Sequence, residues 1–306
     1  MGIRYLKGIY NQQQVQTTRP KGFEFPIGLA ITSPLQGANS ANSETTQTFD
    51  LMVIGGGGAG ADTNTGGPED GNYRQGGGGG GGGIKIVSGN NWTDMLEYKN
   101  PVSIDQTTNF MRVVVGGAGS PSCFGVNNCV SGGGSGGPEN SPGNPGGSGG
   151  GAGSRFQPLL GGPGGPGIFG QGCDGQPKGV ETGPNRVGGV GGSACANGST
   201  TGITSTITGA CCTYSGGGYF SPGSSPGTAG AINRGFGGNT GWQQASGTKP
   251  GGAGGSGIVA IRYCNPAAPT TPLATGGNTV CCTGGCIIHI FTSSGFLNVA
   301  TTFDIN

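Results

Sequence analysis

Short apolar, β-branched runs punctuate the chain, and most end against glycine. Phe49-Asp-Leu-Met-Val-Ile54 precedes a glycine tract, Phe110-Met-Arg-Val-Val-Val115 precedes another, and Ile258-Val-Ala-Ile-Arg-Tyr263 follows it. Each has the length and β-branched content of a buried strand. Ile84-Lys-Ile-Val87 predicts a further strand, followed by a turn at Ser88–Asn91 and a short helix over Thr93–Lys99. A strand is also read at Ile27–Thr32. Near the C-terminus, Cys286-Ile-Ile-His-Ile-Phe291, a Thr-Ser-Ser-Gly turn and Phe296-Leu-Asn-Val299 predict a hairpin. Its alternation requires that it pair with a sheet. The expectation is that it closes, within the chain, one sheet with strands 49–54, 110–115 and 258–263.

Between these runs lie two glycine windows, 55–83 and 116–257, which hold 65 of the 76 glycines. Collagen needs glycine at every third position, and only Gly161-Gly-Pro-Gly-Gly-Pro-Gly167 keeps that period. A flexible linker is the simplest reading of glycine tracts. Against it stand the windows' length, their inserted aromatics and cysteines, and the flanking strands. The alternative is polyglycine II: extended threefold helices rising ~3.1 Å per residue, with no internal hydrogen bonds. Each N–H and C=O must then find a neighbouring helix, and only glycine lets backbones approach so closely. One such helix cannot offset its ordering entropy, whereas a packed array held by strands can. The predicted fold is all-β: a small sandwich or sheet carrying a packed polyglycine II bundle. The predicted divisions are an arm over 1–48, a glycine-rich domain over 49–263, and a Cys/Pro-rich connector with the hairpin over 264–306.

Composition narrows the function. Charged residues make up 9% and the net charge is +1, with Lys and Arg scattered singly. Nucleic acid binding calls for clustered cations, so none is expected. No run approaches the ~18 apolar residues of a membrane span, and the first residues have no continuous apolar core that would mark a signal peptide. Ten cysteines form an even set. They fit either disulfides formed in an oxidising setting such as a virion surface or reduced, partly buried thiols. Cys123 and Cys129 are neighbours and a plausible local pair.

Three motifs mimic chemistry. Gly55, Gly57 and Gly60 follow a strand in the G-x-G-x-x-G spacing of a dinucleotide site. The next residues, Ala61-Asp-Thr-Asn-Thr-Gly-Gly-Pro68, cannot supply the helix N-terminus that holds a pyrophosphate. No cofactor is expected. Cys281, Cys282, Cys286 and His289 approach zinc spacing, but His289 falls within an apolar strand, so a structural histidine is preferred and no metal is expected. His289 is the only histidine, which leaves nucleophile–base pairs without a partner, and no catalytic residue is expected. Asn91-Trp-Thr and Asn197-Gly-Ser match glycosylation sequons by pattern alone.

Aromatics interrupt the second window beside Pro, Ser or Asn, the residues of turns. They either shield the array or stand exposed as recognition anchors. Phe156, Phe169, Tyr219, Phe220, Phe236 and Trp242 are the candidate receptor-binding residues.

Four pieces together resemble the glycine-rich domains of phage tail proteins and bacterial surface proteins. Asp50–Gly60 resembles their "VLVVGGGGGGG" start, and Tyr73-Arg-Gln-Gly-Gly their "YR…GGGG" step. Gly251-Gly-Ala-Gly-Gly-Ser-Gly-Ile-Val-Ala-Ile-Arg-Tyr263 resembles their exit, "GGxGGSGIVIIRY". Ile288-His-Ile-Phe-Thr-Ser-Ser-Gly-Phe-Leu-Asn-Val299 resembles their opening hairpin, "IHTFTSSGTFTV". The match covers roughly residues 49–299. Such domains include tail-fibre adhesins in which polyglycine II helices present variable loops to host receptors. The resemblance implies a non-enzymatic virion protein of a tailed phage, a tail fibre or fibre-tip adhesin. Its expected partners are other virion proteins, reached through the N-terminal arm, and a host surface glycan or outer-membrane protein. An oligomeric assembly is expected, without membrane insertion. The alternatives are a capsid or tail decoration protein and a bacterial cell-surface protein. The opening hairpin comes last here, as in a permuted copy or in one domain followed by the start of a second.

Overall fold

A computed structural model describes residues 49–63, 74–87, 110–154, 162–178, 187–194, 200–219, 225–243, 248–264 and 272–299. All of them belong to one compact unit, residues 46–306. The expected strand at Ile27–Thr32 and helix at Thr93–Lys99 lie outside the described residues, as does the 1–48 arm.

The described residues are all-β. In chain order the strands are β1 (Asp50–Ile54), β2 (Arg74–Gln75), β3 (Ile84–Val87), β4 (Phe110–Val114), β5 (Ser122–Phe124), β6 (Asn128–Val130) and β7 (Ile203–Ser205). They continue as β8 (Cys212–Tyr214), β9 (Trp242–Gln243), β10 (Ile258–Cys264), β11 (Ala274–Thr275), β12 (Thr279–Thr283), β13 (Cys286–Phe291) and β14 (Gly295–Val299). One antiparallel sheet runs β12-β13-β10-β1-β3, and a second runs β11-β14-β4-β5-β6. The two face each other over a shared core. Leu51, Val53, Val259, Ile261, Ile287 and Phe291 come from the first sheet; Val113, Phe124, Val130 and Leu297 come from the second. Alternate residues of β1 and β10, Met52, Ile54, Ile258 and Ala260, point the other way and pack under Ile207 and Tyr214 of the β7–β8 hairpin. Being buried on both faces, β1 reads as a continuous apolar run rather than as an alternation. Its one charge, Asp50, lies opposite Arg262. The guanidinium Nη2 reaches the Asp50 carboxylate at 2.6 Å.

The C-terminal pair departs from expectation. β13 and β14 do not pair with each other: β13 lies between β10 and β12, and β14 lies between β4 and β11. Residues 292–294 form a corner that carries the chain from one sheet to the other. Asn278 holds this corner, its Oδ1 accepting the N–H groups of Thr292 (2.8 Å) and Ser293 (3.0 Å). Strand 110–114 is likewise in the second sheet, not beside 49–54. An alternating sequence fixes which residues face the core, and both the hairpin and the corner satisfy that demand. β13 still completes a sheet within the chain, and its hairpin partner is β12, joined through Gly284 and Gly285 at φ 56° and 77°.

Four strands continue directly into glycine segments: β1 into 55–61, β6 into 131–137, 76–83 into β3, and 249–257 into β10. The run 76–83 sits at the centre of this second body. Its N–H groups follow a three-residue cycle. Gly77, Gly80 and Gly83 donate to Gly137, Gly134 and Ser131; Gly78 and Gly81 donate to Gly189 and Gly192; Gly79 and Gly82 donate to Gly238 and Gly235. These bonds span 2.7–3.0 Å. The carbonyls obey the same cycle. Gly77, Gly80 and Gly83 accept from Ala61, Gly58 and Gly55; Gly78 and Gly81 accept from Gly151 and Ser148; Gly79 accepts from Gly218, and Gly82 from the Ser215 hydroxyl. A period of three with six different neighbours is the hydrogen bonding of a threefold extended helix inside a packed array, the polyglycine II arrangement. None of these eight glycines has φ in the left-handed region. Glycine is needed because a Cβ at any of positions 76–83 would come within 3.0 Å of a neighbouring segment.

Candidate functional site

The glycine body has two ends. One adjoins the sandwich, where Gly55, Gly83 and Gly257 meet β1, β3 and β10. The other gathers residues from distant parts of the chain. Gln75 is its centre, and only 2% of its surface is exposed. It pairs with Trp242 on one side and Ser154 on the other. Its backbone carbonyl accepts the Ser154 N–H at 2.9 Å, and its side-chain Oε1 accepts the Gly188 N–H at 2.8 Å. Beside it, Thr63 and Lys249 exchange bonds: the Thr63 N–H donates to the Lys249 carbonyl at 3.0 Å, and the Lys249 N–H to Thr63 Oγ1 at 2.8 Å. The Thr240 hydroxyl donates to the Ala61 carbonyl at 3.0 Å. Asn239 Oδ1 accepts the Tyr219 N–H at 2.9 Å.

These buried amides and hydroxyls replace glycine–glycine bonds where the array stops. An unpaired backbone group there would carry a desolvation cost. Described residues that flank five stretches of sequence, 64–73, 155–161, 179–186, 220–224 and 244–247, lie at this end; the stretches themselves are outside the described residues. Their roots are therefore tied to one another, not merely to the nearest glycine run. Gln75, Asn239 and Thr240 were not among the sequence candidates. Their signal is positional: amide or hydroxyl side chains directly bordering glycine, in Arg74-Gln75-Gly76 and Gly238-Asn-Thr-Gly241.

The six aromatic candidates separate. Tyr219 lies at this far end and is 48% exposed. Trp242 lies there too, in β9, opposite Gln75. Phe156 and Phe220 are outside the described residues. Phe169 is 98% exposed, but it tops the turn 168–171 at the sandwich end. That turn is fixed by Gln171, whose carbonyl accepts the Ile84 N–H at 3.0 Å and whose Oε1 accepts the Ser131 N–H at 2.7 Å. Phe236 is half-buried, its ring over Gly216. The structure thus brings Tyr219 and Trp242 to one end and leaves Phe169 and Phe236 elsewhere.

The chemistry-like motifs have structural occupations. The amides of Gly55, Gly57 and Gly60 donate to the carbonyls of Gly83, Gly255 and Gly252. The three amides of the motif are thus occupied within the array. Cys286 is bonded to Cys264, and Cys123 to Cys129. Among the described residues Cys173, Cys211, Cys212, Cys281 and Cys282 are free thiols.

His289 is fully buried and committed on both nitrogens. Tyr263 Oη accepts N–H groups from Leu273 (3.0 Å) and Ala274 (3.3 Å). Its own proton is then directed to His289 Nε2, 3.1 Å away. The Gly276 carbonyl, 2.7 Å from Nδ1, can only accept, so Nδ1 carries the ring proton. Burial lowers the His289 pKa, partly opposed by the Gly276 carbonyl, and burial raises that of Tyr263. The neutral imidazole joins β13 to Gly276, the residue that follows β11, and thereby links the two sheets.

Comparison with family models, curated proteins and solved structures finds no match to this chain.

Proposed function

We propose that the chain is a non-enzymatic structural protein of a tailed-phage virion, a tail fibre or fibre-tip adhesin that contacts the host surface. The observation that carries this reading is the gathering of five loop roots at the end of the glycine array away from the sandwich, braced by Gln75, Asn239 and Thr240. A bundle whose backbone bonds are met internally is a rigid mount. Loops rooted on it can vary in sequence while their bases stay fixed, which suits recognition of changing surfaces. Tyr219, about half exposed, puts at that end an aromatic of the kind that dominates recognition energetics. Residues 1–48 are assigned to attachment within the particle, and the site of action is the virion surface. A glycan or an outer-membrane protein is the proposed receptor class.

The test uses the purified, fluorescently labelled chain, offered separately to host cells and to purified virions. Saturable adsorption to cells, weakened roughly tenfold by Tyr219→Ala and unchanged by Phe169→Ala, is expected. Binding to virions alone would replace the adhesin reading with that of a decoration protein.

A further inference from the structure

Of the strands at the edges of the two five-stranded sheets, β12 is the longest and most exposed. β11 has two residues, β6 three and β3 four, and both termini of β3 are buried. β12 has five residues, and all but Cys281 are exposed. Among the described residues it pairs with β13 alone. It carries no charge and no proline, two devices that normally stop an edge from pairing with another chain. Val280, an apolar side chain on this edge, is 45% exposed.

Which backbone groups are open follows from the turn. Gly284 and Gly285, both at positive φ, form a two-residue hairpin loop between Thr283 and Cys286. In such a hairpin the flanking pair is hydrogen-bonded. Alternation then turns the N–H and C=O of Thr279, Cys281 and Thr283 toward β13, and leaves those of Val280 and Cys282 pointing outward. The strand Thr-Val-Cys-Cys-Thr is centred on Cys281. An antiparallel copy related by a two-fold axis through Cys281 pairs all five residues. It sets Val280 opposite the second copy's Cys282, where both have outward backbone groups. The two Cys281 residues then face each other as a non-hydrogen-bonded pair, with Cα atoms ~4.5 Å apart, within disulfide reach. Both disulfides of this chain already join directly opposed residues of neighbouring strands, at Cα separations of 4.1 Å and 3.9 Å.

We propose that β12 is a self-pairing edge, that its occupant is β12 of a second copy of this chain, and that a disulfide between the two Cys281 residues closes the dimer. A five-residue edge covers far less than the ~1,200 Å² of a standard stable interface. Strand pairing alone is therefore weak, and the covalent bond supplies the permanence. The absence of charge on β12 lets identical edges approach without repulsion. The bond forms by exchange with a small disulfide such as oxidised glutathione. One Cys281 thiolate displaces a glutathione thiolate to give a mixed disulfide. The second copy's Cys281 thiolate then attacks the protein sulfur and releases the other. Two protein thiols become one disulfide, and one glutathione disulfide becomes two thiols. The joined sheet has five strands from each copy. This inference does not depend on the receptor role.

The full chain is incubated with oxidised glutathione and examined by non-reducing electrophoresis, light scattering and peptide mapping. The expected product has twice the 29.8 kDa chain mass, reverts to monomer with dithiothreitol, and contains a Cys281–Cys281 linked peptide. Cys281→Ser abolishes it and Cys282→Ser does not. Val280→Pro also abolishes it with little change in Tm, because the lost N–H faces outward and proline is tolerated on an open edge. A chain that stays monomeric, a dimer linked only through another cysteine, or a Val280→Pro variant that dimerises as the parent does would overturn the proposal.

Discussion

At Gly80 a methyl group would meet the carbonyl oxygens of Ser148 and Gly149, whereas at Gly117 it would meet nothing within 4 Å. The two glycines therefore predict opposite outcomes. Gly80→Ala should destabilise by roughly 3 kcal/mol, because surrounding backbone cannot yield as a side chain can. Gly117→Ala should be neutral or stabilising by ~0.4–1 kcal/mol through the unfolded state. Urea midpoints of the two variants check both. His289 supplies a pH prediction. Its folded-state pKa lies below the unfolded value, so the unfolded chain binds more protons in acid. Its contribution is intact above the unfolded pKa of about 6.5 and declines as pH falls through that value toward the lower folded pKa. The Tm should drop over that window, and His289→Gln should flatten the dependence; an equally steep profile in the variant would place the titrating group elsewhere. That His289 belongs to the core was legible from its apolar neighbours. Its Tyr263 partner was not, because 26 residues separate them and only the sheet register brings them together.

At the scale of elements, the apolar runs marked β1, β3, β4 and β10 because β-branched residues flanked by glycine or turn residues admit little else. Sheet membership was hidden. Phe291 and Leu297 both had to face a core, but a period of two does not say whether β13 and β14 lie side by side or face each other across the sandwich. The same limit applies to cysteines. Cys123 and Cys129 are close enough in sequence to suggest a pair, while Cys264 and Cys286 are joined only once β10 and β13 are in register. The two bridges should differ in weight. On chain entropy alone, the 22-residue separation of Cys264–Cys286 is worth about 3 kcal/mol and the six-residue separation of Cys123–Cys129 about 2 kcal/mol. Cys264→Ser should lower the denaturation midpoint more than Cys129→Ser does. Removing residues 286–306 takes an inner strand from each five-stranded sheet, so the truncated chain should lose its cooperative unfolding transition in calorimetry. A truncated chain that melts like the parent would show that the corner at 292–294 is not structural.

Taken whole, the molecule joins a conventional β-sandwich to a body built almost without side chains. The sandwich supplies the hydrophobic burial that glycine cannot, and its strands deliver four glycine segments already aligned. The existence of the array was legible from the length of the glycine windows and their flanking strands. The identity of each helix's neighbours was not, since glycine runs are interchangeable in sequence and only the lengths and ends of the connections choose among them. For the same reason the clustering of loop roots around Gln75 could not be read from the chain. The most direct measurement is the set of through-hydrogen-bond couplings between backbone nitrogen and carbonyl carbon, taken by NMR on deuterated protein. The structure predicts couplings from Gly77 to Gly137, Gly78 to Gly189 and Gly79 to Gly238, repeating three residues later at Gly80, Gly81 and Gly82 toward Gly134, Gly192 and Gly235. Amides of residues 77–83 that show no such couplings and exchange at the rate of an unprotected coil would contradict the array and, with it, the rigid mount on which the proposed receptor loops depend.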